Sequence, residues 1–258
     1  MWLLSGRAAR NAARRRETVH SDAPAIHGAA LAAAYYGHRI GGEFYDFVRV
    51  GPNRLLFGLL DVAGRHEDNH AIVNAAKQTF RTRGLELFAD DEVNEADAMI
   101  ELSLEINRSI LQRESGVHAC PAFAGCYHES LGTVCYFNAG HTPGLVRDSA
   151  GVAELPATGL PLGLFSHTTC DARTIGLEPG AALLLVSRGI VEGTRRKQEL
   201  GLRGVKALLQ RAKAETPKQI CLDVLQGVEE FMGRPAVHND MTTLALVRAG
   251  QAAAVAAN

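Results

Sequence analysis

The stretch Arg54–Val62, RLLFGLLDV, constrains this chain more than any other. Its apolar residues run on with little polar alternation, so as a strand it is buried on both faces. Phe44–Val50 before it also has strand character, and Gly51-Pro52-Asn53 between the two is a turn signal. Together they predict a β-hairpin turning at Gly51–Asn53.

Ala29–Tyr36 is a further apolar segment, set off from the hairpin by Gly41-Gly42. The period then changes. Ile72, Ala76 and Phe80 recur at helical spacing within Asn69–Arg83, and Ala98, Leu102, Ile106 and Ile110 do so within Glu95–Gln112. Short strands are expected at Ala122–His128, Thr133–Asn138 and Gly144–Arg147. A buried strand at Ala181–Ser187 follows the Pro179-Gly180 turn. Leu202–Ala214 and Lys218–Met232 read as helices and Met241–Arg248 as a last strand. Strands in hairpins and helices in pairs argue for α+β with antiparallel sheets and against βαβ winding.

With 258 residues, 47% apolar and 21% charged, the chain can bury a sizeable core. A net charge of −1 lends nothing to a nucleic-acid or membrane-surface role. No apolar run approaches the roughly 20 residues of a membrane span. The basic start, MWLLSGRAARNAARRRE, lacks a signal-peptide apolar core and reads as a solvated tail or a helix fragment. The expected division is a tail over residues 1–24, a domain over 25–249 and a small-residue tail over 250–258. The five cysteines form no CxxC pair, so reduced thiols and a cytoplasmic location are expected.

Glu43 and Asp61 each fall at a strand end beside a glycine-containing bend, where backbone carbonyls are also exposed. Carboxylates and carbonyls are hard oxygen donors, suited to Mg²⁺ or Mn²⁺. The plain alternative is capping and turn formation. His66-Glu67-Asp68-Asn69-His70 spells the HExxH of zinc proteases, the remote alternative. It sits where a loop enters a helix, with Asp68-Asn69 as expected N-cap residues. His141 reads as a structural hydrogen-bonding group of a turn, with a catalytic base as the sharper option. Arg195-Arg196-Lys197 reads as a solvated face, with docking of an acidic partner as its alternative.

Taken in order, Gly41-Gly42-Glu43-Phe44-Tyr45-Asp46, Asp61-Val62-Ala63-Gly64, Asn138–Pro143, Gly159–Gly163, Ser187–Glu192, Leu200-Gly201 and Asn239-Asp240-Met241-Thr242 form a series. It resembles the SpoIIE/RsbU-like branch of the PPM protein phosphatases, with its GGDFYD, DVxGxG, NAGHxP, GxPLG, TDGxxEA, FG and DDxT segments. The resemblance implies a four-layer α-β-β-α sandwich of two antiparallel sheets flanked by helices. It also implies two Mn²⁺ or Mg²⁺ ions whose bridging water attacks phosphoserine or phosphothreonine. The implied partner is a phosphorylated regulatory protein such as an anti-sigma-factor antagonist.

The matching ligand positions are Glu43, Asp61 with the Val62 carbonyl, Arg188 and Asn239. Two of them depart from the pattern: Arg188 stands for an Asp and cannot ligate a metal, and Asn239 stands for another. His66 also replaces a loop glycine. Asp240 and Asp46 are the candidate replacement ligands, and Gly189 adjoins Arg188. Two expectations follow. One is a phosphatase of weakened activity using one or two ions. The other is a pseudophosphatase with no ion, acting as a binding module in which Arg188 takes the cation's place and pairs with a carboxylate. A homodimer is one open assembly.

Overall fold

The computed structural model describes residues 19–37, 42–62, 66–113, 118–167, 170–212, 215–233 and 240–250. Along the chain run β1 (Val19–Asp22), β2 (Ala29–Tyr36), β3 (Glu43–Val50), β4 (Arg54–Asp61), α1 (His66–Leu87) and α2 (Glu95–Leu111). There follow β5 (Ala122–His128), β6 (Thr133–Ala139), β7 (Gly144–Asp148), β8 (Gly151–Leu155), β9 (Arg173–Gly176) and β10 (Ala182–Val186). The last elements are α3 (Arg188–Val191), β11 (Thr194–Arg195), β12 (Gln198–Glu199), α4 (Gly201–Arg211), α5 (Pro217–Met232) and β13 (Met241–Arg248).

One sheet has six strands in the order β1-β2-β13-β10-β7-β8, and the other has five in the order β3-β4-β5-β6-β9. Every pairing within them is antiparallel. All eight residues of β4 are buried, as its unbroken apolar run predicts. Leu55, Phe57 and Leu59 face the other sheet, against Leu183, Leu185, Leu244 and Leu246. Leu56 and Leu60 face α1 and α2 through Ile72, Phe80, Leu102 and Ile106. On the far side, Leu184, Val186 and Ala245 carry α4 and α5 through Val205, Leu209, Ile220 and Val224. The layers are thus helices, sheet, sheet, helices, as expected.

The β3–β4 hairpin turns where predicted, and β5 and β13 match their expected bounds. Helix α1 runs past the expected end at Arg83 to Leu87. Gly84 does not break it, because the missing side chain lets the helix close on β4: an added Cβ would strike Leu56 Cδ2. Strands β1, β8 and β9 were not expected. All three lie at the edge of a sheet and carry few buried residues, so they lack the apolar alternation that marks a half-buried strand. The sheet also begins at Val19, inside the stretch expected as a tail. Among the described residues no helix is long and apolar enough to cross a membrane.

Arg54 pins the hairpin to the α1–α2 connection. It is 3% exposed; its Nε donates to Glu95 Oε1 at 2.7 Å and its Nη2 to the Asp91 carbonyl at 2.7 Å. Removing one partner of a buried pair leaves the other desolvated and uncompensated. Arg54→Met is therefore expected to lower unfolding free energy by about 3 kcal/mol in urea titrations. Arg108→Ala, which breaks an exposed pairing with Glu105, is expected to cost less than about 1 kcal/mol. Equal effects would contradict the anchoring role of Arg54.

Candidate metal centre

The hairpin register places Glu43 directly opposite Asp61. Successive side chains of a strand alternate between faces, so both carboxylates share the face of Tyr45, Phe47 and Leu59, which looks toward the six-stranded sheet. They close the end of the inter-sheet core remote from the Gly51–Asn53 turn. The opposite wall comes from the ends of β10 and β13. There Ser187 N–H donates to the Thr242 carbonyl at 2.9 Å, and Thr242 N–H donates to Ser187 Oγ at 3.0 Å. Thr242 Oγ1 then donates to Glu43 Oε2 at 2.7 Å, a bond that crosses from sheet to sheet. Asp240 precedes β13 and lies over Gly37, where an added Cβ would collide with its Oδ1.

Arg188 opens α3 directly after Ser187. Its Nε is 3.5 Å from Asp61 Oδ2 and 3.6 Å from Glu192 Oε1, and its side chain is 54% exposed. The contact with Asp61 is long and shared with Glu192, unlike the short paired hydrogen bonds of the fork that the guanidinium favours. Behind the carboxylates, Val62 N–H donates to the Gly42 carbonyl at 2.5 Å, and Asn69 Nδ2 donates to the Val62 carbonyl at 3.2 Å.

Burial pushes the Glu43 carboxyl from 4.5 up to about 8, and Asp61 and Asp240 push the same way, against the hydroxyls of Thr242 and Ser187. Burial also raises Asp61, with Arg188 pulling down and Glu192 pushing up. Carboxylates this costly to ionise are the environment in which a bound cation is stabilising. The donors are all oxygens: Glu43, Asp61, the Val62 carbonyl and, beside them, Asp240. They fit a hard divalent ion on the β3–β4 side. The α3 side presents the Arg188 guanidinium, which cannot ligate. Among the described residues no group of three His, Cys, Asp or Glu side chains is placed to hold a metal.

The other sequence candidates sit elsewhere. Asp46 is three residues from Glu43 and hence on the opposite face of β3, where Arg81 grips both its oxygens at 2.5 and 2.6 Å. The structure does not bring it to the carboxylate pair. Gly189 is buried within α3. Asn239 lies outside the described residues, as do the side chains of His66 and Glu67. His70 is exposed on α1. Asn69 is not a cap: it lies inside the first turn of α1, buried, and reaches back to Val62. His141 is buried in its turn, with its backbone N–H on Asn138 Oδ1 at 2.8 Å and Nδ1 on the Thr142 carbonyl at 3.1 Å. Burial lowers it to about 4, so it is neutral. Arg195, Arg196 and Lys197 are exposed around the β11–β12 turn. In the sequence Ser187, Glu192 and Thr242 stand only as parts of motifs and Asn69 only as an expected cap; their contacts at this centre come from the structure. Ser187 and Thr242 act on residues far away in the chain, which no local pattern marks.

Between 4.5 and about 8 the folded chain holds a proton on Glu43 that the unfolded chain has released. The folded state then binds more protons, so stability falls as pH rises through that window. Chelator-treated protein is expected to melt at progressively lower temperature from about pH 5 to about pH 8. Glu43→Gln should flatten that slope; a slope unchanged in the variant would mean that another group is responsible.

A cleft of about 520 Å³ opens beside this centre, lined among others by Glu43, Tyr45, Lys77, Asp240 and Thr242. The family model described as Stage II sporulation protein E (SpoIIE) matches residues 51–249. The phosphoserine phosphatase RsbP of Bacillus subtilis (strain 168) is 25% identical over 167 residues, 62% of this chain and 40% of the relative. The chain thus spans less than half the length of that curated relative. Among solved structures, the RsbU and RsbW domains of Rv1364c from Mycobacterium tuberculosis match with a TM-score of 0.72 at 22% identity, covering 89% of this chain and 64% of that one. The SiaA-PP2C domain of Pseudomonas aeruginosa matches with a TM-score of 0.66 at 18% identity, over 80% of this chain and 79% of its own. The PP2C phosphatase domain of Bacillus subtilis SpoIIE, with a fragment of its regulatory domain, gives 0.64 at 18%, over 90% and 63%. The HExxH stretch is not, as expected, in the loop before the helix but opens α1 itself; it falls within the region that the family model matches. The chain belongs to the SpoIIE family and is built on the PP2C-type phosphatase fold.

Proposed function

We propose that this chain hydrolyses phosphoserine or phosphothreonine on a regulatory protein, with one Mn²⁺ or Mg²⁺ ion and reduced power. The observation that carries the reading is the Glu43–Asp61 pair, held opposite each other in the hairpin, with Glu43 lining a cleft. The ion, when bound there, supplies an activated water and offsets charge on the phosphoryl oxygens. Glu43 and Asp61 hold it, with the Val62 carbonyl. The Thr242 hydroxyl fixes one oxygen of Glu43, so the carboxylate stays aimed at the centre without rearrangement. Asp240 adds negative charge beside Glu43. Arg188 draws on Asp61 from the α3 side and reduces what that carboxylate can give to a cation.

That same contact favours a second reading, in which the chain binds its phosphoprotein without hydrolysing it. The partner is proposed to be an anti-sigma-factor antagonist, as the motif resemblance implies; a relative named as a phosphoserine phosphatase supports phosphoserine as the group bound. A cytoplasmic location fits the five cysteines, all buried and free.

The readings separate in an assay of a phosphoserine peptide with Mn²⁺. Turnover by the native chain is expected, with kcat/KM falling roughly 100-fold or more in Asp61→Ala. Arg188→Asp is expected to raise turnover roughly tenfold, an effect of about 1.4 kcal/mol on the barrier. A native chain without turnover, joined to an Arg188→Asp variant that has it, would overturn the enzyme reading in favour of the binding module.

A further inference from the structure

We propose that the open edge of β3 takes up a segment of the phosphoprotein as an added strand, which carries the adjoining phosphoserine to the Glu43–Asp61 centre. The inference deepens the functional reading above and rests on it for the phosphoryl group. Strand β3 stands at the end of its sheet and, among the described residues, pairs with β4 alone. The cleft beside the centre is lined by five consecutive residues of this strand, Glu43 to Phe47. Glu43, Tyr45 and Phe47 point to one face of the sheet, and Phe44 and Asp46 to the other. Ser21 of β1 lines the cleft on the first side and Lys77 of α1 on the second. A cleft that reaches both faces of a strand lies along its edge, where the backbone itself is the surface.

The register says which backbone groups face that cleft. Val62 N–H donates to the Gly42 carbonyl, a bond between the neighbours of Asp61 and Glu43. In an antiparallel ladder this marks Glu43 and Asp61 as a pair not bonded to each other. Alternation along the strand then turns the N–H and C=O of Glu43, Tyr45 and Phe47 outward, away from β4. Phe47 N–H agrees, since it donates to Asp46 Oδ1 at 2.9 Å and not to β4.

The far part of this edge is closed, and the part next to the centre is open. Asp46 caps Phe47, and Arg81 holds both oxygens of Asp46 in place. Further on, Arg49 Nη1 donates to the Ala25 carbonyl at 2.9 Å and covers the end of the strand. The outward N–H and C=O of Tyr45 have no hydrogen-bond partner among the described residues. Unpaired edges template pairing with another chain, and native proteins close those that serve no purpose. Here the closure stops at Phe47 and leaves open the stretch that leads to Glu43. An extended backbone supplies donors and acceptors at the matching two-residue repeat of about 7 Å. Glu43 is then both a ligand of the ion and the end of the docking edge, so strand addition fixes how far the phosphoserine lies from the ion.

The test uses peptides that carry the phosphonate analogue of phosphoserine, which is not hydrolysed. Their Kd is measured by fluorescence anisotropy on the full chain with Mn²⁺, with one backbone N–H at a time replaced by N-methyl. Methylation at every second residue is expected to weaken binding roughly tenfold, with the residues between them little affected. Tyr45→Pro, which removes an outward N–H and no bond to β4, is expected to weaken the unmethylated peptide by a similar factor. Should Tyr45→Pro fail to fold, the methyl scan decides alone. Equal losses at all positions, no losses, or no binding by the native chain would overturn strand addition. A chain that is dimeric in sedimentation and takes no peptide until diluted to monomer would assign the edge to a second copy, and would overturn it too. Alternating losses without turnover of the phosphoserine peptide would leave the docking edge standing and sink the phosphatase reading. Turnover with a flat methyl scan would do the reverse.

Discussion

Two carboxylates held face to face at the end of an apolar strand pair set the terms for the rest of this centre. Glu43 and Asp61 are opposed because the β3–β4 hairpin turns at Gly51–Asn53 and keeps its register to the last residue. A slip of one position would move one carboxylate to the helix face. The register in turn depends on β4 being buried on both sides, since only one arrangement of its side chains fills both cores. Packing of the sandwich and placement of the charges are one constraint.

The second sheet completes what the first begins. Ser187 and Thr242 stand at neighbouring strand ends and exchange backbone and hydroxyl hydrogen bonds, so the Thr242 hydroxyl arrives at Glu43 already oriented. This bond closes the end of the inter-sheet core over a polar group that would otherwise be unmatched. Arg188 follows Ser187 at the turn into α3. Its place beside Asp61 comes from chain connectivity, and the same connectivity brings Glu192 within reach of it one helical turn later. The result is an asymmetric centre, with oxygen donors on the hairpin side and a cation on the α3 side.

Much of this was legible in the residues. The turn at Gly51–Asn53, the switch to helical spacing after Asn69 and the apolar run of Met241–Arg248 each carry a local signal, and each matches the structure closely. Strands β1, β8 and β9 carry none, because a sheet-edge or flanking strand with exposed residues has little apolar pattern to show. The same holds at the centre. Glu43, Asp61 and Arg188 stand out through residue type beside glycine or within a motif, whereas Asp46 does so equally and is engaged by Arg81 on the opposite face.

By itself, then, the sequence determined the order of hairpins and helix pairs, the family and the loss of an aspartate at Arg188. These are properties of short stretches: periodicity, turn chemistry and residue identity. Only the tertiary structure decided which side chains act together. Thr242 meets Glu43 from 199 positions away, and Arg188 comes to 3.5 Å from Asp61. The Asn69 oxygen is left buried beside Val62 without a donor. Such contacts form because two sheets bury a common face and bring their strand ends together, which no local pattern in the chain records.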